Sequence, residues 1–282
     1  MDILKQSKSL DIFPTPVDQI VQFSELVFEG SVDLSDADPS FMERLSSNFA
    51  SIWNMVRGFL DRTERTIYID LKQLPTRQNF VKLHEVGHYV LPWQKQIMQH
   101  LDNDSTLSHL TKEEFEVEAN YFSSLTLFQH DRFNSEMDKL ELSLKAGMAL
   151  GKLFGGSTHA ALRRLVEQTK KRCALIVLER FTDVPKNKPQ CGKKDLFQSK
   201  NFTADFGELD IPDEFGYKWN FARDYMFKKK FHEDGQITLD TAEGKVDFSY
   251  HFFDNNYNGF VFIFPVGEMQ KTRTKILLQN QL

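Results

Sequence analysis

The amino-terminal half of the chain has apolar positions that recur mostly three and four apart, a spacing typical of amphipathic helices. This spacing predicts helices over residues 14–29 and 41–50. It also predicts helical structure over residues 134–172, with an interruption where Gly155 and Gly156 follow one another. This part of the chain is therefore expected to be mainly helical.

The interruption at Gly155-Gly156 gives residues 150–165 a resemblance to a helix-turn-helix. Ser157 is expected to cap the second helix, and Leu162 and Leu165 are expected to be buried. The stretch from 161 to 200 holds eleven Lys and Arg against four Asp and Glu, a net charge of +7 that allows a local basic patch. Direct DNA binding is nevertheless not expected, because helix-turn-helix geometry often serves packing alone.

Alternating and β-branched runs predict strands elsewhere in the chain. Trp53–Leu60 and Thr66–Asp70 flank a polar turn and are predicted to pair as a hairpin. Ala174–Phe181 is predicted to be a buried strand, and residues 182–201, which contain prolines and lysines, a loop or linker. Beyond residue 202 the pattern predicts five strands, with turn signals at two of the junctions. These are Tyr217–Ala222, Tyr225–Phe231, Ile237–Thr241, Lys245–Phe252 and Gly259–Pro265, with the turns at Asp234-Gly235 and Glu243-Gly244.

The composition is that of a globular protein, with 282 residues of which 40% are hydrophobic and 27% charged. A net charge of −5 does not favour nucleic-acid binding by bulk electrostatics. There is no apolar run long enough to span a membrane, and residues 1–11 lack the core of a signal peptide. Cys173 and Cys191 are too few for a disulfide framework. We therefore expect a cytoplasmic protein with free thiols.

The most informative stretch of the sequence is Phe80–Val90, which contains His84-Glu85-x-x-His88. Two histidines four residues apart lie one above the other on a helix and can bind one metal ion through two ring nitrogens. Glu85 is one step round the helix, where it can act as a general base without being a ligand. This is the arrangement that a metallopeptidase uses.

Flanking residues predict the limits and the packing of this helix. Thr76 is expected to cap its first turn, and Pro92 is expected to end it. A glycine within a helix costs roughly 1 kcal/mol relative to alanine. Gly87 therefore indicates that a neighbouring element packs closely at that position.

A tetrahedral site that keeps one position open for water needs a third protein ligand. Glu116 and Asn120 are four residues apart on one face of a predicted second helix, and the small Ala119 and Ser123 beside them would let the two helices approach closely. We predict Glu116 as the third ligand and Asn120 as a group that orients a ligand or the helix pair. Glu118 is the alternative ligand.

These two motifs resemble those of the ImmA/IrrE metallo-endopeptidases. The family pattern is an Arg-x-x-Phe lead-in, then H-E-x-G-H, then E-x-E-A-N-x-F-A-A, and the resemblance covers roughly residues 14–180. Eleven residues match: Arg77, Phe80, His84, Glu85, Gly87, His88, Glu116, Glu118, Ala119, Asn120 and Phe122. Family members usually continue with E-L-L-M-P, whereas this chain has Leu125-Thr126-Leu127-Phe128-Gln129, so the exit from the second helix differs.

The resemblance implies a bacterial or phage regulator that cuts a helix-turn-helix repressor and so switches on stress-response or mobile-element genes. Zinc is the default metal for His84, His88 and Glu116, and manganese, on which some family members depend, also accepts such ligands. A peptidase of this type binds its substrate as an extra strand on a sheet edge. Residues 66–70 are one candidate for that edge, although they could equally form an ordinary structural strand. Neither Tyr89 nor Tyr121 can be assigned a role in stabilising the carbonyl oxygen.

Together these features predict an α+β protein with a helical, zincin-like metallopeptidase core around a small sheet, a helix-turn-helix-like segment and a β-rich carboxy-terminal part. The expected boundaries are 1–139, 140–181 and 182–282. The predicted function is metal-dependent cleavage of a protein substrate. The alternative is a non-catalytic metal-binding regulator that binds a repressor or DNA, and residue types alone cannot distinguish the two.

Overall fold

The computed structural model describes residues 2–30, 58–100, 109–180 and 191–268. The helix predicted over 41–50 lies outside these ranges. Helices and sheets built mainly from antiparallel pairs are both present, which confirms the α+β class. None of the helices in the described ranges is long and apolar enough to cross a lipid bilayer.

The chain divides into two compact units, and the boundaries between them fall within three helices. The first unit comprises Met1–Glu136 and Met148–Ala161, and the second comprises Met137–Gly147 and Leu162–Leu282. Up to the last of these three helices, the elements in chain order are α1 (Asp2–Gln6), α2 (Val17–Phe23), β1 (Val27–Phe28), β2 (Gly58–Asp61), β3 (Thr66–Ile69), α3 (Pro75–Val90), α4 (Pro92–His100), α5 (His109–Leu127), α6 (Asp131–Met137), α7 (Leu144–Phe154) and α8 (Thr158–Gln168).

A three-stranded sheet of order β1-β3-β2 lies in the first unit. β2 and β3 form the predicted antiparallel hairpin, with Gly58 opposite Ile69 and Asp61 opposite Thr66, while residues 53–57 of the predicted first strand lie outside the described ranges. β1 pairs in parallel with the other side of β3, where Val27 lies opposite Thr66. β3 is therefore an interior strand, and the hypothesis that residues 66–70 offer a free edge is wrong. Within the described residues, the free edge on this side of the sheet belongs to β2.

Helix α3 packs its apolar face against this sheet. Val81, Leu83 and Val86 are fully buried in one cluster with Ile67 and Ile69. A Cβ atom at Gly58 of β2 would lie only 2.2 Å from Cγ1 of Val81. The absence of a side chain at this position lets β2 lie directly against the helix.

Two sequence predictions on helix limits in this unit are wrong. Residues 14–29 do not form one helix, because the chain leaves α2 at Phe23, turns at Glu25 with φ of 58° and enters β1. Helix α3 has no side-chain cap, so Thr76 does not cap it; Pro75 occupies the first turn, where its missing N–H is not needed. Pro92 not only follows α3 but begins α4.

The second unit is built on a six-stranded antiparallel sheet of order β6-β5-β4-β9-β8-β7. Its elements are β4 (Ala174–Leu178), β5 (Cys191–Gln198), α9 (Lys200–Phe206), β6 (Glu214–Phe215), α10 (Asn220–Met226), β7 (Phe231–Thr241), β8 (Gly244–Asp254) and β9 (Gly259–Pro265). Every residue of β4 and of β9 is buried, so these strands are covered on both faces. β4, which the sequence analysis grouped with the helical segment, pairs with β5 and β9.

Several predictions for this half of the chain are confirmed. The backbone N–H of Ala160 donates to Ser157 Oγ at 3.1 Å, which is the predicted cap of α8. Leu162 and Leu165 are fully buried. The strands predicted at Ala174, Lys245 and Gly259 are present, and Gly244, with φ of 100°, forms the turn between β7 and β8.

Other predictions for the second unit are wrong. The expected loop over 182–201 includes strand β5, and Tyr217–Ala222 is not a strand but runs into helix α10. Phe221, Ala222 and Tyr225 have helical spacing and are buried in the core of this unit. The aromatic residues Phe221 and Tyr225 favour strands by propensity, which explains the wrong prediction. Asp234-Gly235 is not a turn; the register of β7 shifts there and Gly235 lies against the ring of Tyr250.

Candidate metal centre

The candidate site forms where helices α3 and α5 cross closely. A Cβ atom at Gly87 of α3 would lie 3.3 Å from Cα of Ala119 and 3.0 Å from the ring of Phe122 on α5. Ala119 and Ser123 are fully buried in the same region. The small residues on both helices therefore allow the close approach that the sequence predicted, and they bring Glu116 within reach of the α3 histidines.

The three predicted ligands converge on one point. Nε2 of His84 lies 3.2 Å from Oε2 of Glu116, and Nε2 of His88 lies 3.3 Å from Oε1 of the same carboxylate. The two Nε2 atoms are 2.9 Å apart. Across the described ranges, no other trio of His, Cys, Asp or Glu brings its ligand atoms within 4.8 Å of one another.

The outer nitrogens of both histidines face amide oxygens. Nδ1 of His84 lies 3.1 Å from Oδ1 of Asn120, and Nδ1 of His88 lies 2.8 Å from Oε1 of Gln94. Since an amide oxygen only accepts hydrogen bonds, each Nδ1–H is the donor, and in the neutral ring Nε2 then presents a lone pair. Two lone pairs and a carboxylate that face one another repel unless a cation lies among them, so this donor set fits a metal ion.

Electrostatics in the cluster keep the carboxylate charged. Burial alone would raise the pKa of Glu116, but the neighbouring His84 and His88 rings, whose protonated forms would donate to this carboxylate, hold the pKa of this carboxyl well below its usual range. Burial likewise opposes the charged form of His88, but the neighbouring Glu116 and Glu85 carboxylates raise its pKa above the ordinary value. The cluster therefore presents a negative charge to the point on which the ligand atoms converge.

Glu85 is placed beside the cluster but is not a member of it. Its side chain is buried, and burial raises the pKa of its carboxyl, a rise that His84 and His88 oppose. A Cβ atom at Gly58 would lie 3.2 Å from Oε1 of Glu85, so the beginning of β2 lies against this carboxylate. A desolvated carboxylate with a raised pKa is suited to accept and return a proton near neutral pH.

Glu118, the alternative ligand, faces a different helix. Its Oε2 accepts hydrogen bonds from Nε1 of Trp93 at 2.5 Å and from Nε2 of Gln94 at 2.8 Å, both on α4. The structure thus brings Glu116, and not Glu118, to the two histidines. Tyr121 is 65% exposed, and Tyr89 packs at the rim of the apolar core.

Sequence reasoning missed two residues that contact His88. Gln94 on α4 contacts its ring, and Arg62 donates from Nη2 to its backbone carbonyl at 3.0 Å. Arg62 belongs to the turn after β2, and Gln94 lies beyond the proline expected to end the helix. Their signal in the sequence is weak, because both residues lie outside the helix that carries the His-Glu-x-x-His motif.

The fold and the histidine-carboxylate cluster define this part of the chain as a metallopeptidase-like domain. Residues 50–166 match the family model of the IrrE N-terminal-like domain, Peptidase M78. This match confirms the resemblance to the ImmA/IrrE proteins. A search of curated proteins found no match.

A solved structure has a similar fold over nearly the whole chain. It is a Mycobacterium tuberculosis transcriptional regulator with a TM-score of 0.52, and the similarity covers 99% of this chain and 78% of that one. The two sequences are 10% identical, so the similarity concerns the fold alone.

Proposed function

We propose that this protein is a metal-dependent endopeptidase that hydrolyses a peptide bond in one specific protein. The observation that carries the proposal is the convergence of the ligand atoms of His84, His88 and Glu116 within 4.8 Å, on a metallopeptidase-like domain. These three residues would hold the ion. Zinc is the default for two imidazoles and a carboxylate, and manganese accepts the same ligands.

Glu85 is the proposed general base and acid. When bound, the metal supplies Lewis acidity that polarises a peptide carbonyl and makes a neighbouring water more acidic. Glu85 takes a proton from the attacking water and passes it to the leaving amide nitrogen. Its burial favours both transfers, because a carboxylate whose pKa is raised toward neutrality accepts a proton readily and releases it again.

The substrate is proposed to approach as an extended segment along β2. The outer side of this strand is a free edge within the described residues, and its first residue, Gly58, lies against Glu85. Main-chain hydrogen bonds to such an edge give affinity without strong preference for side chains. Selectivity then has to come from docking of a folded part of the substrate on a more distant surface.

The proposed substrate is a helix-turn-helix transcriptional repressor, whose cleavage would switch on stress-response or mobile-element genes. Two observations support a regulatory role. The family resemblance implies such a target, and the similar solved structure is described as a transcriptional regulator. A repressor is also a folded protein with an exposed linker between its parts, which suits cleavage of an extended segment.

The test uses the full-length protein loaded with zinc or manganese and a helix-turn-helix repressor encoded beside it. Glu85→Gln keeps the size and hydrogen bonding of the side chain but removes the proton acceptor, so we expect unchanged metal content and loss of cleavage. Glu64→Gln, on the exposed turn between β2 and β3, is the matched control and should cleave like the parent. Cleavage by Glu85→Gln at the parent rate would overturn the general-base assignment. Tight repressor binding without cleavage in any variant would favour a non-catalytic regulator.

A further inference from the structure

Gln94 of α4 is a fully buried polar side chain that joins three elements of the candidate site. Its Oε1 lies 2.8 Å from Nδ1 of His88 on α3. Its Nε2 donates to the backbone carbonyl of Phe115 at 3.2 Å and to Oε2 of Glu118 at 2.8 Å, both on α5. Every polar atom of this amide therefore has a partner, although the side chain has no access to solvent.

The partners of Gln94 fix the direction of its amide. A backbone carbonyl and a carboxylate can only accept, so the amide NH₂ group must face Phe115 and Glu118. The amide oxygen is then left to face His88, and because it too can only accept, the proton of that contact belongs to Nδ1 of the ring. Nε2 of His88 is consequently the nitrogen directed at Glu116, 3.3 Å away.

Glu118 is itself held from a second side. Nε1 of Trp93 donates to the same oxygen, Oε2, that accepts from Gln94. Rotation of the Gln94 amide would break all three of its hydrogen bonds at once, one of them to a charged acceptor. The chain of donors from Trp93 and Gln94 to Glu118 therefore restrains the amide that faces His88.

The other histidine is held differently. The partner of His84 is Oδ1 of Asn120 at 3.1 Å, and Asn120 is exposed on α5. Water can replace a solvent-exposed amide as acceptor at little cost. Water has no comparable access to the buried Gln94. Loss of the amide at Gln94 should therefore affect its histidine more than loss of the amide at Asn120.

We infer that Gln94 is a positioning residue of the metal site, which holds the imidazole of His88 with Nε2 toward Glu116 and is itself held by Glu118. This inference deepens the proposed function and rests on it. It also gives Glu118 a role through Gln94 and not as a ligand. Removal of an outer partner of a metal-bound histidine typically lowers metal affinity 10- to 100-fold.

The test measures the zinc affinity of the full-length protein by competition with a chromogenic chelator. Gln94→Met keeps the volume of the side chain but removes the acceptor, and should lower the affinity at least tenfold.

Two further measurements separate positioning from folding. Gln96→Met, at an exposed position of the same helix, should bind zinc like the parent. Melting curves in excess chelator report whether each apoprotein is folded. In the zinc-loaded parent, the Nδ1–H of His88 should give a slowly exchanging downfield proton resonance, and this signal should disappear in Gln94→Met.

The outcomes distinguish the inference from the proposed function. Parent-like zinc affinity in folded Gln94→Met would overturn the role of Gln94, and so would persistence of the Nδ1–H resonance of His88 in that variant. A parent protein that binds neither zinc nor manganese would overturn the proposed function itself, and the role of Gln94 with it.

Discussion

Gly87 of α3 and Ala119 of α5 meet so closely that a Cβ atom on the glycine would lie 3.3 Å from Cα of the alanine. This contact sets the separation of the two helices that carry the candidate ligands. A larger residue at either position must push the helices apart or displace Phe122, whose ring would be 3.0 Å from the new atom. The ligand geometry therefore depends on a packing contact outside the ligand set.

Gly87→Val should weaken metal binding without altering a ligand. Overpacking of a buried contact costs typically 1–3 kcal/mol, which corresponds to a loss in Tm of roughly 3–10 °C. We expect a Tm loss in that range and a zinc affinity lower by at least tenfold, measured by differential scanning fluorimetry and chelator competition. Ala149→Val adds a β-branched side chain at an exposed position of α7, costs only roughly 0.5 kcal/mol in helix propensity, and should leave the zinc affinity unchanged. Unchanged affinity in Gly87→Val would contradict the dependence on helix separation.

Glu116→Gln should lower the zinc affinity by more than about 100-fold, because it removes the charge of a candidate ligand. This loss exceeds the 10- to 100-fold that is typical when a ligand loses its outer hydrogen-bond partner. Glu118→Gln keeps an acceptor for Gln94 and Trp93 and should lower the zinc affinity by no more than about tenfold. Metal content by mass spectrometry after dialysis provides the measurement. Full occupancy in Glu116→Gln together with loss in Glu118→Gln would show that Glu118 is the ligand.

Asp224 should make the second unit sensitive to acid. Its carboxylate is buried, and it accepts from Nδ1 of His232 at 2.7 Å, the hydroxyl of Tyr250 at 2.8 Å and Nζ of Lys229 at 2.6 Å. Burial would raise its pKa, but these donors together lower it below the ordinary value of 3.8. A carboxyl whose folded-state pKa is depressed stabilises the fold above its unfolded pKa, and this contribution is lost as the pH falls through the folded value.

We therefore expect the free energy of unfolding of the parent to fall steeply below about pH 4, the ordinary pKa of an aspartate. Asp224→Asn should be less stable at pH 7 by about 1–3 kcal/mol, because three donors, among them the buried hydroxyl of Tyr250, lose a charged acceptor. Its stability should change less between pH 4 and pH 2. Urea denaturation at a series of pH values tests this, with Asp240→Asn, exposed on β7, as the control. Parallel pH profiles for Asp224→Asn and the parent would refute the assignment.

The convergence of the candidate ligands could be predicted because much of its information is local. His84 and His88 are related by one helical turn, and Glu116 and Ala119 lie on one side of a second helix, which favours Glu116 over Glu118 as their partner. Gln94 could not be predicted in this way. It reaches His88 from a helix that begins after Pro92, and only the fold shows that α4 turns back toward the cluster.

The errors in the sheets have a similar cause. Strand β3 was correctly predicted, but its interior position depends on pairing with Val27–Phe28, far away in the sequence. The sequence predicts a strand where helix α10 lies, because Phe221 and Tyr225 have high β-propensity. In the fold, the helical spacing of these residues lets them pack together in the core of the second unit. Long-range pairing and packing, which a local pattern does not contain, decided both cases.

We propose that the cluster of His84, His88 and Glu116 supports cleavage of one protein at one place. The most direct measurement is intact-mass spectrometry of a neighbouring helix-turn-helix repressor and of casein, each incubated with the zinc- or manganese-loaded protein, with and without chelator. We predict two repressor fragments from a single exposed site, no fragments with chelator, and little change in casein. Chelator-sensitive digestion of casein at many sites would contradict the specificity, and an intact repressor under every condition would contradict the peptidase.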